Sequence, residues 1–600
     1  MSNKDVAQDL GVMPEWDLSD LYPGADSDAL KKDLADCERD AKKFAEDFKG
    51  KLADLAANGG LVDAVTRYEA MSDKMGRLGS FAYLQYAQNT ADGERAKFMG
   101  DLNEKLTALT TPLLFFSLEL NRIDDAVLDK ALAEDAQLGR YKPWFDELRK
   151  AKPYQLEDRV EELFHDKSVT GRTAWNRLFD ETMASLKFDV DGEELSLEPT
   201  LTMMTDKDQS KREAAYKGLV ETLGENKRLF THITNVLAKD KEISDRWRGY
   251  EDVADSRHMA NSVEREVVDA LEKAVRDAYP RLSHRYYKMK AKWLGQDKLN
   301  AWDRNAPLPT SDDRIFDWDS AQKMVMDAYA DFSPKLADVA KPFFNSGWID
   351  APVRDGKAPG AFAHPTVPSA HPYLMLNYLG KPRDVMTLAH ELGHGVHQVL
   401  AAEQGALMAQ TPLTLAETAS VFGEMLTFRS LLKASDDPEQ RFALLAGKVE
   451  DMLNTVVRQI SFYSFEREVH TKRREGELRS EELDKIWIET SRESLGPSVE
   501  LNEGYETFWS YIPHFIHAPF YVYAYAFGDC LVNSLYAKYQ QSDDGFVERY
   551  FELLKAGGSK HHSELLAPFG LDAKDPDFWS LGLGMIEGLI DELEALDQAR

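Results

Sequence analysis

Three residues, His390, Glu391 and His394, have the types and spacing of a hydrolytic metal site. They lie in Leu388-Ala389-His390-Glu391-Leu392-Gly393-His394, and on a helix positions four apart share one face, so both imidazoles can converge on one ion. Glu391 sits beside the ligand pair, where its carboxylate can reach a water at the metal without taking a coordination position, the place of a general base. An imidazole and carboxylate donor set favours zinc over magnesium or calcium. Among zinc, cobalt and manganese the sequence leaves the choice open.

A hydrolytic zinc site takes a third protein ligand. The extended pattern H-E-x-x-H-x-x-G-x-x-H is excluded, because His397 stands at its Gly position and Leu400 at its last His position. The next apolar-periodic stretch, Leu413 to Glu424, reads as a second helix with Glu417 and Glu424 about two turns apart on roughly one face. Glu417 is taken as the third ligand and Glu424 as its support, and His397 as a supporting or packing histidine. A turn near Gly405 would return the chain from the first helix to the second.

The elements that position these residues have readable boundaries. Pro382 can stand just before the histidine helix, with Asp384 as its N-cap. Gly393 and Gly395 each cost about 1 kcal/mol in a helix interior, so they predict a neighbour pressed against that backbone. Before the helix, Pro372 to Tyr378 is short, apolar and bounded by Pro and Gly, and reads as a strand whose unpaired edge could hold an extended peptide main chain. His364 and His371 precede it with no ligand spacing, and are read as surface or packing residues.

At this point a resemblance becomes visible. The segments Thr387–His394, Glu417–Glu424 and Pro513–Tyr525 closely resemble the oligoendopeptidase F group of the thimet oligopeptidase family of zinc peptidases, as do Trp16–Pro23 and Gly171–Asp180. The resemblance implies a mostly α fold: a two-lobed helical shell around a deep substrate channel, with a small β-sheet beside the zinc helix. It implies a zinc-dependent endopeptidase that hydrolyses internal bonds of short unstructured oligopeptides, with one Zn2+ per chain. It also places His514 and Tyr523 at the family's oxyanion-donor positions, with Tyr521 a weaker candidate. Phe520 stands where the thimet branch carries another Tyr, which leaves the number of hydroxyl donors open. By periodicity alone, the aromatic stretch Trp509 to Tyr525 is core.

Two other readings use the same residues. An aminopeptidase with this ligand triad would need an acidic anchor for the substrate's amino terminus, and no such motif is found. A peptide-binding scaffold without activity would have no need of Glu391.

Composition bounds the rest. Hydrophobic residues make up 43% and charged residues 30%, which is globular, and 600 residues exceed one core. The net charge of −31 repels phosphate backbones and anionic lipid surfaces, so nucleic acid is not an expected partner. The start of the sequence, Met1 to Asp9, has no apolar leader and no later stretch is long enough for a membrane span, so a cytoplasmic enzyme is expected, without a membrane partner. Cys37 and Cys530 are too few for a disulfide framework.

Residues 26 to about 185 carry helical periodicity, and Phe188 to Leu197, with Asp191-Gly192, reads as a hairpin. The expected division is a helical domain over 1–205, ending in that hairpin, and a catalytic metallopeptidase domain over 206–600, opening with a helix near Thr205–Asp208. The basic stretch Ser283 to Trp293 is read as a solvated helix face.

Overall fold

Several helices begin where a side chain caps them. Ser27, Asp92, Asp124 and Asp208 each accept a hydrogen bond from a backbone N–H of the first turn that follows, satisfying donors a helix leaves unpaired. The computed structural model describes residues 10–309, 314–541 and 544–599. Residues 1–9, read above for a leader, lie outside them. Among the described residues the chain is mostly helical with three small sheets, and no helix is long and apolar enough to cross a membrane.

The chain forms two compact units, each built from three stretches: 1–152, 313–434 and 542–570 in the first, and 153–312, 435–541 and 571–600 in the second. A boundary near residue 205 falls inside the second unit.

In the first unit, helices Asp28–Phe48 and Leu61–Gln88 bury Phe44, Leu78 and Phe81 in two aromatic-rich cores. A three-stranded sheet runs in the order Ile349–Asp350, Tyr373–Met375, Phe362–His364, the first pair parallel and the second antiparallel. The expected strand exists, but it is the central one. Both of its sides are paired, so the edge expected at Tyr373–Tyr378 is not available to a peptide. The Ile349 side is also covered, since Ala351 N donates to Pro14 O at 3.0 Å and Asp17 N to Gly347 O at 2.8 Å. The remaining edge is Phe362–His364.

In the second unit, the hairpin pairs Phe188–Val190 with Glu193–Leu195, and Asp191 and Gly192 take φ of 55° and 88°, as a two-residue turn of this kind requires. The helix Gln209–Arg248 follows, capped by Asp208. It packs on the hairpin so closely at Gly218 that an added Cβ would lie 2.3 Å from Asp189 O. The helix Ser283–Trp293 is not simply a solvated face. Lys290 is fully buried, with its Nζ bonded to the Arg304 carbonyl at 2.8 Å and to the Glu450 carboxylate. Cys37 and Cys530 are both buried free thiols.

Candidate metal centre

The histidine helix spans Pro382–Ala401. Pro382 occupies its first turn, where a missing N–H costs nothing. Asp384 is not the N-cap but stands at the third helical position, where its Oδ2 accepts from the Leu379 and Lys381 backbone N–H groups, each at 3.0 Å. The acid thus still faces the positive end of the helix dipole.

His390 and His394 project from one face of this helix, with ring centroids 4.9 Å apart. The Glu417 carboxylate comes between them: its Oε2 lies 3.4 Å from His390 Nε2 and 3.4 Å from His394 Nε2. The three residues form a group whose ligand atoms all lie within 4.8 Å of one another. Glu417 does not sit on a continuous second helix. A short helix Leu413–Ala416 ends there and another, Ser420–Lys433, begins three residues later. Ser420 Oγ explains the break: it donates to Glu417 Oε2 at 2.6 Å and to Glu417 O at 3.1 Å, holding the carboxylate at the bend.

Glu424, expected to support Glu417, is in contact with His390. Its Oε2 lies 3.1 Å from His390 Nδ1, so it fixes the tautomer and plane of that imidazole and leaves Nε2 facing Glu417. His397 is buried, with Nε2 3.3 Å from Thr411 Oγ1, and its ring also bonds the Ala416 backbone; it ties down the segment that delivers Glu417. Burial pushes its pKa down to about 4, so it is neutral. His364 bonds Ser80 Oγ at 3.0 Å, and His371 stacks on Trp348 and bonds Asp20. Neither joins the ligand group.

Glu391 is 8% exposed, and its pKa is raised chiefly by burial, with Glu417 adding to the effect. Burial resists charge on His390, but the Glu424 hydrogen bond and the fields of Glu417, Glu424 and Glu391 outweigh it and push that imidazole up to about 9. On Glu417 burial is likewise overcome, by the His394 hydrogen bond and both imidazoles, which hold the carboxyl at about 2. Three glutamates gathered around two imidazoles supply the mixed carboxylate and imidazole donors that favour a bound cation.

The two glycines behave as their cost predicts. A Cβ on Gly393 would lie 2.4 Å from Ala419 O and 2.6 Å from Ser420 Cα; one on Gly395 would lie 2.7 Å from Phe343. Gly393 therefore sets how closely the Glu417 bend approaches His394. We expect Gly393→Ala to push that bend outward, lowering thermal stability by about 1–3 kcal/mol and weakening metal affinity in competition with a chromophoric chelator. Wild-type affinity in the variant would show that the approach does not set the ligand geometry. Two further positioning groups come from remote sequence. Tyr329 Oη donates to Ala389 O at 2.6 Å, and Tyr550 Oη donates to Thr418 O at 2.9 Å. No local motif marks either.

The aromatic stretch belongs to the second unit. There His514 is partly buried, with Nε2 3.3 Å from Tyr525 Oη, and its ring stacks with Tyr521 at a centroid distance of 6.2 Å. Burial lowers its pKa, with the charge of Arg458 acting in the same direction. Tyr523 has a different place from an exposed donor. It is 0% exposed, and its Oη accepts from Asn261 Nδ2 at 2.8 Å and lies 3.2 Å from His258 Nδ1. The aromatic residue grouped with His514 and Tyr521 is Tyr525, which the sequence reading did not single out.

Comparison with known proteins agrees with this picture. The profile of Peptidase family M3 matches residues 202–585, and that of Oligopeptidase F matches residues 119–188. Oligopeptidase PepF of Bacillus subtilis is 27% identical over 97% of this chain and 87% of its own length. An oligoendopeptidase F homolog of Lactococcus lactis is 26% identical over 97% of each chain. The crystal structure of oligoendopeptidase-F from Enterococcus faecium superposes with a TM-score of 0.72 at 21% identity, covering 95% of this chain and 99% of that one, and so shares the fold. With a family profile spanning most of its length and a histidine and glutamate cluster on the matched segment, the chain belongs to peptidase family M3, as an oligopeptidase of the F type.

Proposed function

We propose that His390, His394 and Glu417 hold one zinc ion and that the enzyme cleaves internal bonds of short, unstructured peptides. The observation that carries the metal reading is the pair of 3.4 Å separations between Glu417 Oε2 and the two Nε2 atoms. Tetrahedral ligands about 2.1 Å from zinc stand about 3.4 Å apart, so this donor set fits the ion. Zinc, when bound, polarises the scissile carbonyl and lowers the pKa of water to about 7.

The chain's own residues do the rest. Glu391, adjacent to a ligand but not among them, takes the proton of the attacking water and passes it to the leaving amine. Its burial supports this, since a raised pKa suits a group that must both accept and release a proton near neutrality. An extended substrate pairs with the Phe362–His364 edge, where the Ala363 N–H bonds the Glu391 carboxylate and Ala363 O accepts only a long 3.4 Å bond from Gln398 Nε2, which a peptide N–H can displace. His514 and, as the weaker candidate, Tyr521 keep the oxyanion-donor role that the family resemblance gives them, and Tyr525 is added because its Oη lies 3.3 Å from His514 Nε2.

For Tyr523 we propose a positioning role, because its hydroxyl is already satisfied inside the core. Tyr523→Phe is expected to lower stability by about 1–3 kcal/mol through loss of the hydroxyl's bonds with Asn261 and His258, with kcat changed less than about threefold. A large fall in kcat at unchanged melting temperature would return it to the donor set.

The whole reading is tested by metal analysis joined to a quenched peptide blocked at both ends. One zinc per chain, activity lost on chelation and regained with zinc, and cleavage between the blocked ends are expected. Activity confined to peptides with a free amino terminus would make the enzyme an aminopeptidase.

A further inference from the structure

The second unit contains a cavity of about 200 Å³ with an unusual charge arrangement. Arg304 and Arg458 both line it, and among the described residues neither guanidinium has a carboxylate at ion-pair distance. By contrast, the buried Arg212 pairs with Asp303 at 2.7 Å, the buried Lys290 with Glu450, and the partly exposed Arg467 with Asp252 at 2.9 Å. Arg304 has only Asn454 Oδ1, at 3.2 Å, and a tyrosine; Arg458 lies over the Phe462 ring at 5.0 Å and meets Tyr511. Two partly exposed guanidiniums that share one cavity without a carboxylate between them repel one another, and an anion placed between them relieves that repulsion.

The remaining walls say which anion. Tyr287, Tyr505 and Tyr511 line the same space. A guanidinium can only donate, so a tyrosine oxygen bonded to one accepts and keeps its own O–H proton for a further acceptor. The opposite character comes from Phe462, Trp487 and Phe508, with Leu453 and Leu495, which offer no charge at all. An engineered cavity of about 150 Å³ takes up benzene, so this one has room for an aromatic or branched body together with a polar head. A halide would leave most of it empty. The planar forks of arginine match the two oxygens of a carboxylate.

We propose that this cavity binds a small apolar carboxylate, its head between Arg304 and Arg458 and the tyrosine hydroxyls, its body against Phe462, Trp487 and Phe508. Two sources share that chemistry, a free organic acid and the C-terminal residue of a short peptide. Peptide hydrolysis releases the second kind, so the family's reaction generates ligands of this class; the binding itself is independent of the metal assignment.

The test is calorimetric titration of the full chain, native and chelator-treated, with phenylacetate, N-acetyl-phenylalanine, their neutral amides, sodium chloride and inorganic phosphate. Both acids, or one of them, should bind saturably, about ten- to a hundredfold tighter than the matching amide. Tighter phenylacetate identifies the free acid as ligand, and tighter N-acetyl-phenylalanine the peptide terminus. Arg458→Gln should reduce acid affinity by a similar factor, and Arg458→Lys, which keeps the charge without the fork, should recover only part of it. Should either variant fail to fold, the acid and amide comparison on the unaltered protein decides alone. Equal binding of acid and amide, no binding of either acid, or chloride or phosphate binding more tightly than both acids would overturn the proposal. Binding that persists after chelation, whatever the fate of hydrolysis, keeps this result separate from that of the zinc reading.

Discussion

Glu391→Gln is expected to lower kcat by about 10²–10⁴-fold while the protein keeps its metal. The amide has the shape of the carboxyl group and replaces a residue outside the ligand group His390, His394 and Glu417, so occupancy has no reason to change. What it lacks is the ability to take a proton. Because Glu391 is 8% exposed and burial disfavours its charge, the neutral amide should also leave the melting temperature unchanged or slightly raised. Metal stoichiometry, kcat and a thermal melt on one preparation separate the outcomes. Near-normal turnover with full metal would falsify the general-base role, whereas lost turnover with lost metal would make Glu391 part of the binding site.

The second large effect concerns the ligands. Alanine at His390, His394 or Glu417 should remove metal and activity together, with affinity falling by more than the roughly 10- to 100-fold that loss of an outer partner costs. The helical fold should persist, because the apolar cores around Phe44 and Phe81 are built without the ion. Glu417→Ala is the sharpest case, since it removes the atom lying 3.4 Å from both imidazoles. Equilibrium dialysis against buffered zinc, with far-ultraviolet circular dichroism as the control for folding, gives the answer. Stoichiometric zinc in Glu417→Ala would mean that another carboxylate, with Glu424 the nearest known to touch a ligand, completes the site.

The parts of the fold legible in the sequence are those set by short-range geometry. Two histidines four apart on a helix must share a face, and Asp191-Gly192 must turn, whatever the rest of the chain does. Gly393 signalled a close neighbour through its cost, although not which one. What escaped was set by partners far away. The Tyr373–Met375 strand was visible, but whether it is an edge depends on Ile349–Asp350 and Phe362–His364 both finding it. Leu413 to Glu424 has continuous helical periodicity, and the bend at Glu417 arises because Ser420 bonds the carboxylate and backbone there. Glu424 was recognised as a supporting acid, yet its partner follows from the packing of two helices against each other at Gly393. Alternation in Tyr521, Tyr523 and Tyr525 does not say which ring turns inward; Asn261 and His258 decide it for Tyr523.

The loop between the second histidine and Glu417 is clasped by the distant stretch that completes the first unit. Tyr550 Oη bonds Thr418 O, Gly558 N donates to Met408 O at 2.7 Å, and Gln404 Nε2 donates to Lys555 O at 2.9 Å. During synthesis, then, His390 and His394 leave the ribosome well before the residues that hold Glu417 opposite them. At about 5–20 residues per second, the nascent chain spends on the order of ten seconds with two ligands made and the third unclasped. The arrangement of Glu417 opposite the two histidines is therefore completed late, and a chain truncated before Tyr550 is expected to bind zinc at this helix only weakly.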